Sequence, residues 1–171
     1  MNLLFRPFTM EDLAALREFS EAMFLEAFGE TCSQEDMDAY LKEAFDEGKT
    51  RSELSNPHSY FYFLYADGIL SGYIKLNEAQ AQNDLHTDDS LELERIYVSK
   101  KAQGKGLGSF LMEKAVETAR RKGKRYLWLG VWEKNTKALS FYQKHGFYPI
   151  GTHVFVIGED RQTDYILRRD L

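Results

Sequence analysis

The spacing of hydrophobic positions along this chain changes period several times, and each change marks an expected element. Leu3-Leu4-Phe5-Arg6 reads as a short opening strand. Leu13, Leu16, Phe19, Ala22, Met23 and Ala27 then recur at helical spacing behind Thr9, with Asp12 in the capping-box position where Glu or Gln is commoner. Ser33 precedes a second helical pattern of Met37, Tyr40, Leu41, Ala44 and Phe45, and a third short helical piece covers Thr50 to Leu54, ahead of Pro57. The aromatic run Tyr60-Phe61-Tyr62-Phe63-Leu64-Tyr65 and the stretch Ile69 to Leu76 flank Asp67-Gly68, a hairpin signal. Residues 77–90 are polar and are expected to form a mobile loop.

The second half repeats the alternation of strand and helix. Leu91 to Ser99 reads as a strand, and Phe110, Leu111, Ala115, Val116 and Ala119 form one helical face that ends at Lys122-Gly123. Tyr126 to Trp132 is a further strand. Asn135 caps a helix carrying Ala138, Leu139, Phe141 and Tyr142, which stops at Gly146. Strands over Tyr148 to Ile157 and Thr163 to Arg168 close the chain around a turn at Gly158-Glu159-Asp160. This order predicts a mixed α+β fold: a largely antiparallel sheet of about seven strands flanked by four or five helices, in a single domain spanning residues 1–171.

Charge and cysteine content remove several classes of function. The net charge is −5 at pH 7, which argues against a nucleic-acid partner and suits a small cationic substrate. Cys32 is the single cysteine, so no intrachain disulfide can form. Met1 to Pro7 is too soon interrupted for a signal peptide, and no apolar run approaches membrane-spanning length; a cytoplasmic protein without a membrane partner is expected. His58, His86, His145 and His153 are scattered without ligand-like spacing, so no metal is expected.

Candidate chemistry concentrates in Gln103-Gly104-Lys105-Gly106-Leu107-Gly108, between an expected strand and an expected helix. Glycines at alternate positions let backbone N–H groups converge on a ligand, and the helix start behind them adds unsatisfied donors and a positive dipole end. That is a phosphate-binding arrangement. A Walker loop is absent, and the glycines fall at relative positions one, three and five rather than the one, three and six of a dinucleotide fingerprint.

The loop instead fits Gln/Arg-x-x-Gly-x-Gly/Ala, and here the chain resembles the GCN5-related N-acetyltransferases, the GNAT family. Gln103, Gly106 and Gly108 occupy the pattern positions. Asn135-Thr136-Lys137-Ala138-Leu139-Ser140-Phe141-Tyr142-Gln143-Lys144-His145-Gly146-Phe147 is similar to a second signature of that family, Asn-x-x-Ala-x-x-Phe-Tyr-x-x-x-Gly-Phe. More narrowly, Leu91 to Val98, Leu127 to Asn135 and Gln162-Thr163-Asp164 resemble PaiA-type bacterial polyamine N-acetyltransferases, which act on spermidine and spermine.

The resemblance implies acetyl-CoA as co-substrate. Gln103, Gly104, Lys105, Gly106, Leu107, Gly108 and Ser109 would form the cofactor loop, with N–H groups of 104, 105, 106, 108 and 109 on the pyrophosphate. Ile96, Tyr97 and Val98 would pair with the pantetheine arm where two strands splay apart, and Asn135 would add a side-chain contact. Tyr142 would protonate the leaving thiolate. Glu94 would take the amine proton, with an ordered water chain as the alternative, and Glu92 lies two residues earlier on the same strand face. Glu21, Glu26, Glu30, Glu35, Asp36, Asp38, Glu43 and Asp46 would form an acidic rim for a polycation, or serve as ordinary helix-surface charges. Other acceptors of the same fold (a protein N-terminus, a lysine, an amino-sugar) and a non-catalytic acyl-CoA-binding regulator are the competing readings. A homodimer is frequent in the family, and the sequence itself sets no oligomeric state.

Overall fold

A computed structural model describes residues 1–30, 33–157 and 160–171. Among the described residues, seven strands and five α-helices follow in the order β1 (Leu3–Pro7), α1 (Leu13–Phe28), α2 (Gln34–Ala44), α3 (Glu47–Ser55), β2 (Ser59–Ala66), β3 (Ile69–Asn77), β4 (Ser90–Val98), α4 (Leu107–Arg121), β5 (Tyr126–Trp132), α5 (Thr136–Lys144), β6 (Tyr148–Ile157) and β7 (Asp160–Asp170). Hydrogen bonding orders the strands β1-β2-β3-β4-β5-β7-β6. The β1–β2, β5–β7 and β6–β7 pairs are antiparallel and β4–β5 is parallel, which gives the mixed, mostly antiparallel sheet expected. The residues form two compact units that interleave in sequence: Met1–Lys75 with Ile96–Gly108, and Leu76–Arg95 with Ser109–Leu171.

In the first unit, Leu16, Phe61, Phe63 and Tyr73 form a buried cluster, with Phe8, Phe19, Leu54 and Tyr65 packed around it. The aromatic run is therefore core-facing sheet. Ser20 Oγ donates to the Tyr73 hydroxyl at 3.0 Å, so the buried phenol keeps a partner. Asp67 and Gly68 both take positive φ (50° and 80°), as a tight hairpin turn between β2 and β3 requires. The Thr9–Asp12 capping box forms at a short 3-10 turn ahead of α1, and Arg6 clamps Asp12 with two bonds of 2.8 and 2.9 Å. Helix α3 starts three residues before the expected Thr50, because Asp46 caps it by accepting from the Lys49 N–H.

In the second unit, Leu111, Met112, Ala115, Val116 and Ala119 of α4 are buried, as are Leu91, Leu127, Trp128 and Leu129. Phe110, expected on that face, is only half-buried. The β4–β5 ladder covers three positions, Ser90↔Tyr126 to Glu92↔Trp128, and stops. Leu93, Glu94 and Arg95 continue β4 without pairing to β5, whereas β5 pairs with β7 over its full seven residues. Strand β7 is longer than expected, since pairing on both sides carries it over its charged ends.

Residues 77–90 differ most from expectation. They include a 3-10 turn over Ala79–Ala81, and Gln82 is 2% exposed. The Gln82 Oε1 accepts from Ser90 Oγ and from Trp128 Nε1, both at 2.7 Å, while its Nε2 donates to the carbonyls of Thr87 and Ala79. A polar side chain in the core, satisfied on both faces, pins the segment where composition alone suggests mobility. Cys32 and the first two residues of the turn Gly158-Glu159-Asp160 lie outside the described residues.

Candidate active site

The glycine loop belongs to the first unit. Gly104 and Gly106 take φ of 75° and 79°, and nothing lies within 4 Å of where a Cβ would stand on either. Backbone that only glycine holds comfortably is thus bordered by open space. Lys105 and both glycines are exposed, while Leu107 turns its side chain into the core at 2% exposure, leaving only its backbone available to a ligand. Gln103 Nε2 donates to the Val98 carbonyl at 3.1 Å, tying the loop to the end of β4. Beside it, Ile96 and Val98 are half-buried, and the Tyr97 ring packs on Tyr73 at 5.4 Å between centroids.

Helix α4 opens within the loop, at Leu107. Helices α2 and α3 begin with acidic residues and accepting side-chain caps, Ser33 and Asp46, which neutralise their N-terminal ends. The first turn of α4 holds no acid. Acids are likewise absent from the first turns of α1 and α5, so it is the open, positive-φ glycine loop ahead of α4 that makes its N-terminal end fit a diphosphate.

The second unit holds the two glutamates of β4. Glu92 is 3% exposed and accepts three bonds: from Asn83 N at 2.8 Å, Asn83 Nδ2 at 2.6 Å and Asn77 Nδ2 at 3.3 Å. Burial raises its pKa above the usual carboxylate range; the Asn83 and Asn77 donors oppose that shift and the neighbouring Glu94 charge adds to it. Glu94 retains 22% side-chain exposure; its Oε1 accepts from Asn83 Nδ2 at 3.0 Å, and its Oε2 lies 3.8 Å from Arg95 Nε. The two glutamates meet through one amide.

Tyr142 on α5 is half-buried, with its ring 5.5 Å from Phe141 and 5.8 Å from Phe147. Asn135 accepts from the Ala138 N–H at 3.2 Å and so caps α5. Ser109 Oγ lies 3.1 Å from His145 Nε2, and burial holds that imidazole below its ordinary pKa. Asp84 pairs with His153 at 3.0 Å, and burial raises the nearby Asp164. Several acids of the expected rim have local tasks in the first unit: Glu26 accepts from the Lys100 N–H, Asp38 from Gln34, and Asp46 caps α3. Lys122 donates to Glu78 at 3.3 Å. Asn83, Asn77 and the Ser109–His145 pair carried no signal in the sequence, since neither spacing nor motif sets them apart.

Among the described residues, no group of three His, Cys, Asp or Glu is placed to hold a metal ion, and no helix is long and apolar enough to cross a membrane. The family model for the acetyltransferase (GNAT) family matches residues 14–147. The uncharacterized N-acetyltransferase in the pepI 3′ region of Lactobacillus delbrueckii subsp. lactis is 44% identical over 161 residues, 94% of this chain and 93% of that one. The streptothricin acetyltransferase of Streptomyces lavendulae is 33% identical over 87 residues, 51% of this chain and 43% of its own. In fold, the chain is similar to the PaiA N-acetyltransferase of Thermoplasma acidophilum, solved with coenzyme A: TM-score 0.78, 24% identity, all of both chains covered.

Proposed function

This chain belongs to the acetyltransferase (GNAT) family, and on that premise we propose that its acceptor is a primary amine of a polyamine such as spermidine or spermine. The activity itself is N-acetylation with acetyl-CoA as co-substrate. The observation that carries the acceptor reading is the carboxylate pair on β4, Glu92 buried and Glu94 partly exposed, with Asp84 and Asp164 in the same unit. A polyamine is a string of ammonium groups at pH 7, and a cluster of carboxylates attracts it and can take its proton.

On this reading, residues 1–171 act as one N-acetyltransferase domain, and the backbone N–H groups of Gly104, Lys105, Gly106, Gly108 and Ser109 hold the diphosphate of acetyl-CoA. Gln103 braces that loop through the Val98 carbonyl, and Leu107 anchors it to the core. The backbone of Ile96, Tyr97 and Val98 pairs with the pantetheine amides, and Asn135 adds a contact beyond its cap. Acetyl-CoA supplies the activated acetyl group as a thioester. Glu94 removes a proton from the ammonium, and the freed nitrogen pair forms the C–N bond to the acetyl carbon as the C–S bond breaks. The Tyr142 hydroxyl gives its proton to the departing sulfur and recovers one from the nitrogen, leaving an acetamide and a free thiol. Nucleophile and thioester meet in one ternary complex, and no enzyme-bound acyl group forms.

A thiol-release assay with spermidine, spermine, an acceptor peptide and an aminoglycoside tests the acceptor. Turnover of the polyamines well above the others is expected. Turnover confined to the peptide or the aminoglycoside overturns the acceptor reading, and acetyl-CoA binding without turnover of any amine overturns catalysis.

A further inference from the structure

We propose that Asn83, on the segment before β4, is a positioning residue that sets the orientation and basicity of Glu94 by anchoring it to the buried Glu92. This rests on the reading of Glu94 as the base. The buried amide of Gln82 is held on both sides and fixes the next residue in place. The Asn83 N–H then donates to Glu92 Oε2 at 2.8 Å, so the backbone is fixed against β4. Its side-chain Nδ2 donates at 2.6 Å to Glu92 Oε1 and at 3.0 Å to Glu94 Oε1, one amide group shared by two carboxylates.

That sharing solves an electrostatic problem. Burial pushes Glu92 toward protonation, and the charge of Glu94, two residues along the same strand face, adds to that push. A donor between them stabilises both charged forms and fixes the side-chain rotamer of the partly exposed one. Glu92, with both oxygens engaged and 3% exposure, is closed to an incoming amine and acts as the anchor. Glu94 keeps 22% side-chain exposure, although its Oε2 is buried, 3.8 Å from Arg95 Nε. The next residue along, Asp84, is committed to His153. The segment 77–90 thus governs the base, although the base is carried by β4.

Asn83→Ala keeps the backbone bond and removes both side-chain bonds. Carbon-detected NMR titration of the glutamate carboxyls reads the effect without any acceptor: the Glu94 midpoint should rise by about one pH unit when its donor is lost. With spermidine, kcat should fall about ten- to hundredfold and the acid limb of the rate profile should move to higher pH by the same interval, while the acetyl-CoA Kd stays within about twofold. Asn83→Ser, which retains a short donor, should recover part of both shifts, and it serves as the working variant should the alanine chain not fold. An unmoved Glu94 midpoint with an unmoved acid limb overturns the proposal. Failure of the underlying reading looks different: Glu94→Gln would then leave the spermidine profile unchanged, whatever Asn83 does.

Discussion

Substituting Gly106 separates backbone strain from ligand binding. With φ at 79° and nothing within 4 Å of a built Cβ, Gly106→Ala meets no steric clash with the protein. Its cost is torsional, about 1–2 kcal/mol, offset by part of the entropy the unfolded chain loses. A net loss of about 1 kcal/mol lowers Tm by about 2–4 °C in a chain of this size. Gly68 is the internal control: its φ is 80°, it too has nothing within 4 Å, and it lies in the β2–β3 hairpin. Gly68→Ala should cost the same in Tm and nothing in affinity. Gly106→Ala should in addition misdirect a backbone N–H; losing one charge-assisted hydrogen bond, about 1.5–3 kcal/mol, weakens acetyl-CoA binding about ten- to hundredfold. Gly106→Glu brings a negative charge to the diphosphate, worth about 4 kcal/mol at 4 Å and an effective dielectric of 20, or close to a thousandfold. Isothermal titration calorimetry with acetyl-CoA, alongside thermal melts, reads all three variants. Equal Kd values for wild type, Gly68→Ala and Gly106→Glu would refute the loop assignment.

Tyr142→Phe should lower kcat about a hundredfold or more in thiol-release assays while leaving the acetyl-CoA Kd within about twofold; an unchanged kcat removes the tyrosine as the acid. Glu94→Gln should depress spermidine turnover most at low pH and recover as pH approaches the amine's own pKa, about 10; a profile parallel to wild type rejects Glu94 as the base. The Arg6 guanidinium holds the Asp12 carboxyl down at about 2. The pair therefore stabilises the fold above about pH 4 and loses that contribution as pH falls through 2. Asp12→Asn should cost about 1–2 kcal/mol in urea denaturation at pH 7 and much less near pH 2; a constant difference across that range contradicts the ion-pair assignment.

Local signals carried most of the fold. Thr9, Ser33 and Asn135 each stand where a helix or helical turn begins, and Asp67-Gly68 turns the β2–β3 hairpin, because caps and tight turns are decided by neighbouring residues. The glycine loop was legible for the same reason: its spacing fixes its backbone. What stayed hidden depends on distant partners. Gln82 and Asn83 sit in a stretch whose composition says loop, yet their side chains bind Trp128, Ser90, Glu92 and Glu94. The extra length of β7 follows from ladders on both its edges, and the Ser109–His145 contact joins residues 36 apart. No periodicity encodes such contacts.

Backbone amide NMR of the labelled protein, titrated in parallel with coenzyme A and with pantetheine, addresses the loop most directly. If residues 104–109 grip the diphosphate, their amide signals shift with coenzyme A and stay still with pantetheine, while those of 96–98 respond to both. Coenzyme A shifts that bypass 104–109 would contradict the account.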